Sequence, residues 1–355
     1  MSKQKAVTMW RESASLIMLT KDKMPKGDAF DYHALLFSRA QNASFMPCSS
    51  VFPGGVCEPA DQSPLWLKFF QKFGIPKQNL IDLYSSSLNH KSTIYHDQDE
   101  SILDKSISLR ITAIRETFEE VGVMLCRKKN EIADSNGFGQ FREDFDRAHW
   151  QKIVHNDASK FLTLCEELEV VPDLWRLHEW SSWLTPATFK KRFKTEFYVV
   201  ALEKIPDLIV EKTEAAECTW KTPMDYITSY INKEIWLPPP QFYELSRLLN
   251  FSELDKLLAF AKERSVHGTT LILPVQYKCT DGTVSLLPGD DLYPTDPNST
   301  SDYIDTGVTM EEFRSKATKL HRSEYINLNE AVVHLNFPLM DGQLAPINVN
   351  LKAKL

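Results

Sequence analysis

The 355-residue chain predicts an α+β fold. Three observations lead there. Apolar residues recur at helical spacing in 111–121, where Ile111, Ile114, Phe118 and Val121 share one face. Short apolar runs at 15–20, 33–39, 178–183 and 194–202 read as strands. After residue 266 the pattern changes to brief strand segments punctuated by Gly and Pro, at 271–279, 283–287, 331–337 and 347–351. We therefore expect a mixed α and β domain over 8–265 and a β-rich C-terminal extension over 266–355.

In chain order, the strands SLIMLT (15–20) and HALLFSR (33–39) flank a turn containing Pro and Gly. Gly54-Gly55 follows within FPGGVCEPAD (52–61). A residue without Cβ lets the backbone approach a ligand or cation closely, although a tight turn asks for the same residue. PLWLKFFQKF (64–73) reads as an amphipathic helix whose Trp66, Phe69 and Phe70 dock onto the domain. The polar stretch SSSLNHKSTIYHDQDES (85–101) then reads as a mobile loop. Residues 127–139 are loop-like and 141–169 have helical spacing. Trp180, Trp183, Phe197 and Tyr198 are expected in the core, though such rings could stack on an adenine. Helices are expected at 224–230, 241–250 and 253–264, with the three prolines 238–240 enforcing an extended approach to the second. The acidic run 294–305 is expected to be mobile.

Hydrophobic content of 43% and charged content of 25% are ordinary for a globular protein. A net charge of −7 argues against a nucleic-acid surface or an anionic membrane surface. No apolar run is long enough to span a bilayer. The six cysteines are scattered without a Cys-x-x-Cys pair, so neither a zinc site nor a disulfide framework is expected.

The chemistry concentrates in RETFEEVGV (115–123). As a helix, it gathers Glu116, Glu119 and Glu120 within about a 100° arc opposite the apolar stripe. Acidic helix faces are common on solvated surfaces. Like charges at this spacing repel, however, and a divalent cation among them relieves the repulsion. Oxygen-only ligands suit Mg²⁺ or Mn²⁺. Gly122 fits a left-handed residue ending the helix.

This stretch resembles the second half of the Nudix box, the signature of hydrolases that cut a nucleoside diphosphate linked to another moiety. Thr117 stands at a usually apolar position. The first half is similar to FPGGVCEPAD, with Gly55 at the box glycine and Asp61 where the family has Glu. Between Asp61 and Arg115 lie 53 residues where the family has seven, so the box is split by an insertion over about 62–104. A coenzyme A diphosphatase branch of the family interrupts its box similarly. SFMP (44–47), DLWRLHEWSSWLTP (173–186), KEIWLPPPQFYE (233–244) and LLPGDDLY (286–293) also resemble that branch.

The resemblance implies an α/β/α sandwich around a mixed sheet. It implies Mg²⁺ or Mn²⁺ held by Glu116, Glu119 and Glu120 with help from the Gly55 carbonyl. Arg115 would orient a glutamate, and Glu116 would act as general base, with Glu217 second. The implied reaction cuts coenzyme A and its acyl esters to 3′,5′-ADP and (acyl-)4′-phosphopantetheine. Short coenzyme A enzymes of the family carry Leu-Leu-x-x-Arg and then a further Arg and Gly. Leu35-Leu36-Phe37-Ser38-Arg39 matches the opening, but Phe45 and Cys48 occupy the later region. Arg39, Lys190, Lys191 and Arg192 are the candidate substrate cations. A Nudix enzyme for NADH or ADP-ribose and a non-catalytic Nudix binding module are the alternatives. Ala353-Lys354-Leu355 resembles the peroxisomal address Ser-Lys-Leu, implying a peroxisomal import receptor as partner and the peroxisome as location. A monomer is expected.

Overall fold

The computed structural model describes residues 9–22, 30–43, 45–85, 103–128, 131, 137–211, 215–299 and 302–349. The expected loop 85–101 falls outside these except for its first residue, and so does the C-terminal tripeptide. The chain opens with β1 (Arg11–Lys21), β2 (Tyr32–Arg39), β3 (Ser50–Val51) and β4 (Gly54–Val56), then α1 (Leu65–Lys72), α2 (Lys77–Ser85) and α3 (Lys105–Val121). It continues with β5 (Met124–Arg127), β6 (Phe141–Arg142), α4 (Arg147–Asn156), α5 (Lys160–Glu167), β7 (Val171–Pro172), β8 (His178–Leu184), β9 (Phe193–Leu202) and β10 (Ala215–Lys221). Then come α6 (Pro223–Ile231), α7 (Pro239–Leu248), α8 (Leu254–Ser265), β11 (Leu271–Ile272), β12 (Val275–Cys279) and β13 (Gly282–Leu286). The last elements are β14 (Ile304–Asp305), α9 (Met310–Arg314), β15 (His321–Asn327) and β16 (Glu330–Leu335).

The central sheet has the order β10-β2-β1-β9-β8-β11, with β3 on β2 and β4 on β1. It is mixed: β1 runs parallel to β9 and antiparallel to β2, and β8 is antiparallel to β9. β1 and β9 read as continuous apolar runs because both of their faces are covered. One face packs on α1, α3, α4 and α5 through Leu16, Met18, Ile114, Phe118 and Phe161. The other packs on α6, α7 and α8 through Ile17, Leu19, Trp180, Tyr243 and Leu257. The result is the expected α/β/α sandwich. Trp180 and Trp183 are buried, as expected, and each indole N–H donates to Glu244 at 2.8 Å.

The insertion leaves and re-enters the domain at one point. The backbone N–H of Leu103 donates to the Gln62 carbonyl at 2.9 Å, closing its base. Closing so long a loop costs little more than closing a short one, because the entropy grows only logarithmically. Trp66, Phe69 and Phe70 of α1 are buried beside Phe161, as expected. The helix α2 was not foreseen.

The extension differs from expectation in three respects. The strand expected over 271–279 is two strands in different sheets. β11 pairs with β8 and completes the central sheet, whereas β12 belongs to a second sheet of order β14-β12-β13-β15-β16. Pro274 stands at the break, where it has no N–H for either ladder. The change of sheet therefore lies beyond the expected boundary at 265/266. The run 294–305 contains β14, which pairs parallel with β12. Residues 347–349 form no strand. The Ile347 N–H donates to the Ser246 carbonyl, and Asn348 bonds both backbone groups of Val333.

Candidate active site

Helix α3 positions the site. Its N-cap is Asp104, whose side chain accepts from the Ser106 N–H at 2.8 Å, directly after the insertion. It ends at Gly122, at φ 72°, where a Cβ would meet Ile209 Cβ at 2.8 Å. Thr117 is buried at its apolar position because its hydroxyl donates back to the Ala113 carbonyl at 2.7 Å.

The split box is rejoined in space. Arg115 Nε donates to Asp61 Oδ1 and Nη2 to Asp61 Oδ2, both at 2.8 Å, in a fork on a carboxylate that is 1% exposed. The same guanidinium donates to the Val56 carbonyl at 3.0 Å, to Glu116 Oε1 at 3.0 Å and to Glu119 Oε1. Thr112 adds a hydroxyl donor to Asp61 at 2.9 Å. Arg115 thus fixes two glutamates and is itself buried and outside the cleft lining.

The acidic face is buried rather than solvated. Glu119 and Glu120 are nearly inaccessible and the Glu116 side chain is 14% exposed, because β4 lies across them. The Gly54 N–H donates to Glu120 Oε2 at 2.8 Å. At Gly55 a Cβ would stand 2.4 to 2.6 Å from the Glu116 carboxylate, so the backbone here is pressed against that side chain. Glu119 accepts from Arg115, has His155 Nδ1 3.5 Å from its Oε2, and is fixed through its carbonyl by Gln151 Nε2 at 2.8 Å. His155 and Gln151 carry no sequence signal, since they lie on α4 outside the box.

Three carboxylates, of Asp61, Glu116 and Glu119, therefore surround one buried guanidinium, with Glu120 beside them on Gly54. Burial pushes the Glu116 carboxyl up to about 8; Arg115 pulls it down, and Glu119 and Asp61 push it further up. This surplus of buried negative charge, all on oxygen, fits a hard divalent cation. Among the described residues no three acidic, imidazole or thiol groups are placed to hold an ion together. Glu116 and Glu120 line the adjoining cleft, whereas Glu119 is turned to Arg115 and His155.

The cleft measures about 1110 Å³ and lies between the central sheet and the C-terminal sheet. Arg39 lines it, and its buried Nε has no hydrogen-bond partner among the described residues. Lys190 and Lys191 line it as exposed side chains. Arg192 also reaches it but is 2% exposed, donating from Nε to the Thr185 carbonyl at 2.9 Å and from Nη2 to Asn298 at 2.8 Å. Arg192 thus stands in the cleft wall, as expected, with Nε and Nη2 engaged internally. Glu217 is exposed on the edge strand β10 and does not line the cleft. All six cysteines are free, and no described helix is long and apolar enough to cross a membrane.

Residues 10–248 match the family model of the NUDT19 Nudix domain, and residues 276–336 match that of the NUDT19 C-terminal domain. The acyl-coenzyme A diphosphatase NUDT19 of Xenopus laevis is 34% identical over 371 residues, covering 97% of each chain. The human protein of that name is 35% identical and covers 88% of each chain. A putative nudix hydrolase 7 of Caenorhabditis elegans is 28% identical, covering 83% of this chain and 78% of that protein. Among solved structures, a NUDIX hydrolase from Alicyclobacillus acidocaldarius superposes with a TM-score of 0.52 at 19% identity. It covers 72% of this chain and 97% of that one, a likeness of fold.

Proposed function

Since the chain belongs to the NUDT19 family of Nudix hydrolases, we propose that it cleaves the diphosphate bond of coenzyme A and acyl-coenzyme A, giving 3′,5′-ADP and (acyl-)4′-phosphopantetheine. The observation that carries this reading is the rejoined box. Asp61 and Arg115 meet through two 2.8 Å bonds beside the two glutamates that line the cleft.

Each residue has a definable task. Arg115 holds Glu116 and Glu119 in place, and Asp61 holds Arg115. The Gly54 N–H fixes Glu120. Arg39, with Lys190 and Lys191, supplies positive charge for phosphate oxygens within the same cleft. Glu116 is the base that takes the proton of the attacking water. Nudix hydrolases generally need a divalent metal. Glu116 and Glu120 would hold Mg²⁺ or Mn²⁺ here, and the ion would neutralise phosphoryl charge and make water a stronger nucleophile.

The test is mass-spectrometric product analysis with coenzyme A, an acyl-coenzyme A, NADH and ADP-ribose, with Mg²⁺ or Mn²⁺. Release of 3′,5′-ADP is expected. Turnover of NADH or ADP-ribose alone would keep the Nudix chemistry and overturn the substrate. Turnover of none would leave a binding module. Glu120→Gln can still accept from Gly54 but loses the charge, so its kcat should fall about 10²-fold or more with an unchanged melting temperature. Where Ala353-Lys354-Leu355 is the free carboxyl terminus, it directs peroxisomal import. Removing it should send the protein to the cytosol with the same kinetics, and unchanged localisation would refute the address.

A further inference from the structure

Part of the wall of the cleft belongs to the C-terminal sheet. Ser285 on β13 and Tyr325 on β15 line it, and so do Ile326 and Leu328 in and after the end of β15. Ile326 is 56% and Leu328 72% exposed, and Tyr303, also on this wall, is 49% exposed. Large apolar side chains gathered at one turn in contact with a cavity mark a surface that something covers.

The turn between β15 and β16 is held in place. Asn329 Nδ2 donates to the carbonyls of Tyr230 and Ile235, at 3.0 and 2.9 Å. It thereby ties the turn to the connection between α6 and α7, whose Trp236 and Leu237 line the same cleft. Ile326 and Leu328 directly precede this anchor and are presented at the cleft by a fixed backbone. The cleft so completed exceeds the roughly 300–1,000 Å³ of pockets that hold a drug-sized ligand.

We propose that Tyr303, Ile326 and Leu328 form the subsite for the acyl chain of an acyl-coenzyme A, so that the C-terminal sheet sets the preference between free and acylated substrate. The proposal rests on the diphosphatase reading above. The acyl tail is the one extended apolar part of that substrate. The apolar turn is continuous with the cleft that contains Glu116 and Glu120. The remaining moieties are charged or polar and match the cations and glutamates elsewhere in the cleft.

The experiment uses the full chain and compares kcat/KM for free coenzyme A and for dodecanoyl-coenzyme A below its micellar concentration. In the double variant Ile326→Ser, Leu328→Ser, the ratio of acylated to free substrate should fall about tenfold, carried by KM. The conservative pair Ile326→Leu, Leu328→Ile should keep the wild-type ratio. Both positions are exposed, so neither variant empties a core. An unchanged ratio in the serine variant would overturn the proposal, whether or not the variant alters self-association or binding to phosphatidylcholine vesicles. Wild-type protein that hydrolyses neither substrate would overturn the diphosphatase reading and this proposal with it. Hydrolysis of both with no change of ratio would overturn this proposal alone.

Discussion

Gly55 and Glu116 show how closely the site is built at the scale of single residues. Alanine at 55 requires no left-handed backbone, but its Cβ would stand 2.4 Å from the Glu116 carboxylate carbon. The obstructing group is the end of a side chain, so it can swing aside without unfolding the protein. The cost then falls on the chemistry. A displacement of about 1 Å in a reacting group can cost 10²-fold in rate. Gly55→Ala should therefore lower kcat by about 10²-fold while the melting temperature stays within a few degrees. Steady-state kinetics beside a thermal melt would check this, and wild-type kcat in the variant would remove Glu116 from the chemistry. Asp61→Asn tests the opposite balance. It takes the charge from a buried fork and breaks the two-bond ion pair that fixes Arg115, leaving Glu116 and Glu119 as its ionic partners. Breaking a buried pair costs about 3 kcal/mol. Urea unfolding should register that loss, and a change under 1 kcal/mol would mean that the remaining glutamates suffice.

At the scale of elements, β15 docks on α7 through one titratable contact. His321 Nδ1 lies 2.7 Å from the Pro288 carbonyl, so it carries the proton, and Nε2 then accepts from the Tyr243 hydroxyl at 2.8 Å. Burial and the nearby Arg247 hold the imidazole down at about 4, against the opposing pull of the Pro288 carbonyl, Asp290 and Asp341. The folded chain refuses a proton that the unfolded chain accepts near pH 6.5, so the contribution is complete above pH 6.5. It is lost as pH falls towards 4, to an extent of about 3 kcal/mol at most. His321→Asn keeps a donor for Pro288 but cannot titrate, and its stability should fall less steeply between pH 6.5 and 4.5 in chemical denaturation. An equal slope would rule out His321 as a source of acid lability. This contact had no sequence signal, because β15 lacks a clean alternation: His321, Arg322, Ser323 and Glu324 are all buried. The elements that were legible carry their own markers. Helix α3 has its apolar stripe and its terminal Gly122, and β1 and β9 have apolar runs covered on both faces. The geometry of the candidate site was legible where the box is written, since Arg115, Glu116 and Glu120 stand against Asp61, Gly55 and Gly54. It was illegible where tertiary packing decides: Glu119 turned to His155, Arg192 spent on Thr185 and Asn298, and Glu217 left on an outer edge.

For the whole molecule, the question is whether the C-terminal sheet is a separate folding unit. Its own apolar cluster is small, consisting of Cys279, Val284, Leu286, Met310 and Phe313. Leu287 and Val333 instead join the core beneath α6, α7 and α8. Polar bonds stitch the same seam: Arg247 Nε donates to the Leu344 carbonyl and Gln343 Nε2 to the Trp180 carbonyl, both at 3.0 Å. β11 supplies the outermost strand of the central sheet from the far side of α8. Removing everything after residue 265 would therefore expose the edge of β8 and strip partners from Arg247, Asn250 and Arg264, each of which donates to a carbonyl beyond that point. A buried cation left without its acceptors costs several kcal/mol, comparable to the whole stability of a domain. The two sheets should accordingly unfold together, with one calorimetric transition whose van't Hoff and calorimetric enthalpies agree. Two resolved transitions would show that the cleft is formed between independent domains. In that case the acyl preference assigned to Ile326 and Leu328 would depend on how those domains dock, whereas in a single cooperative unit it is built into the fold.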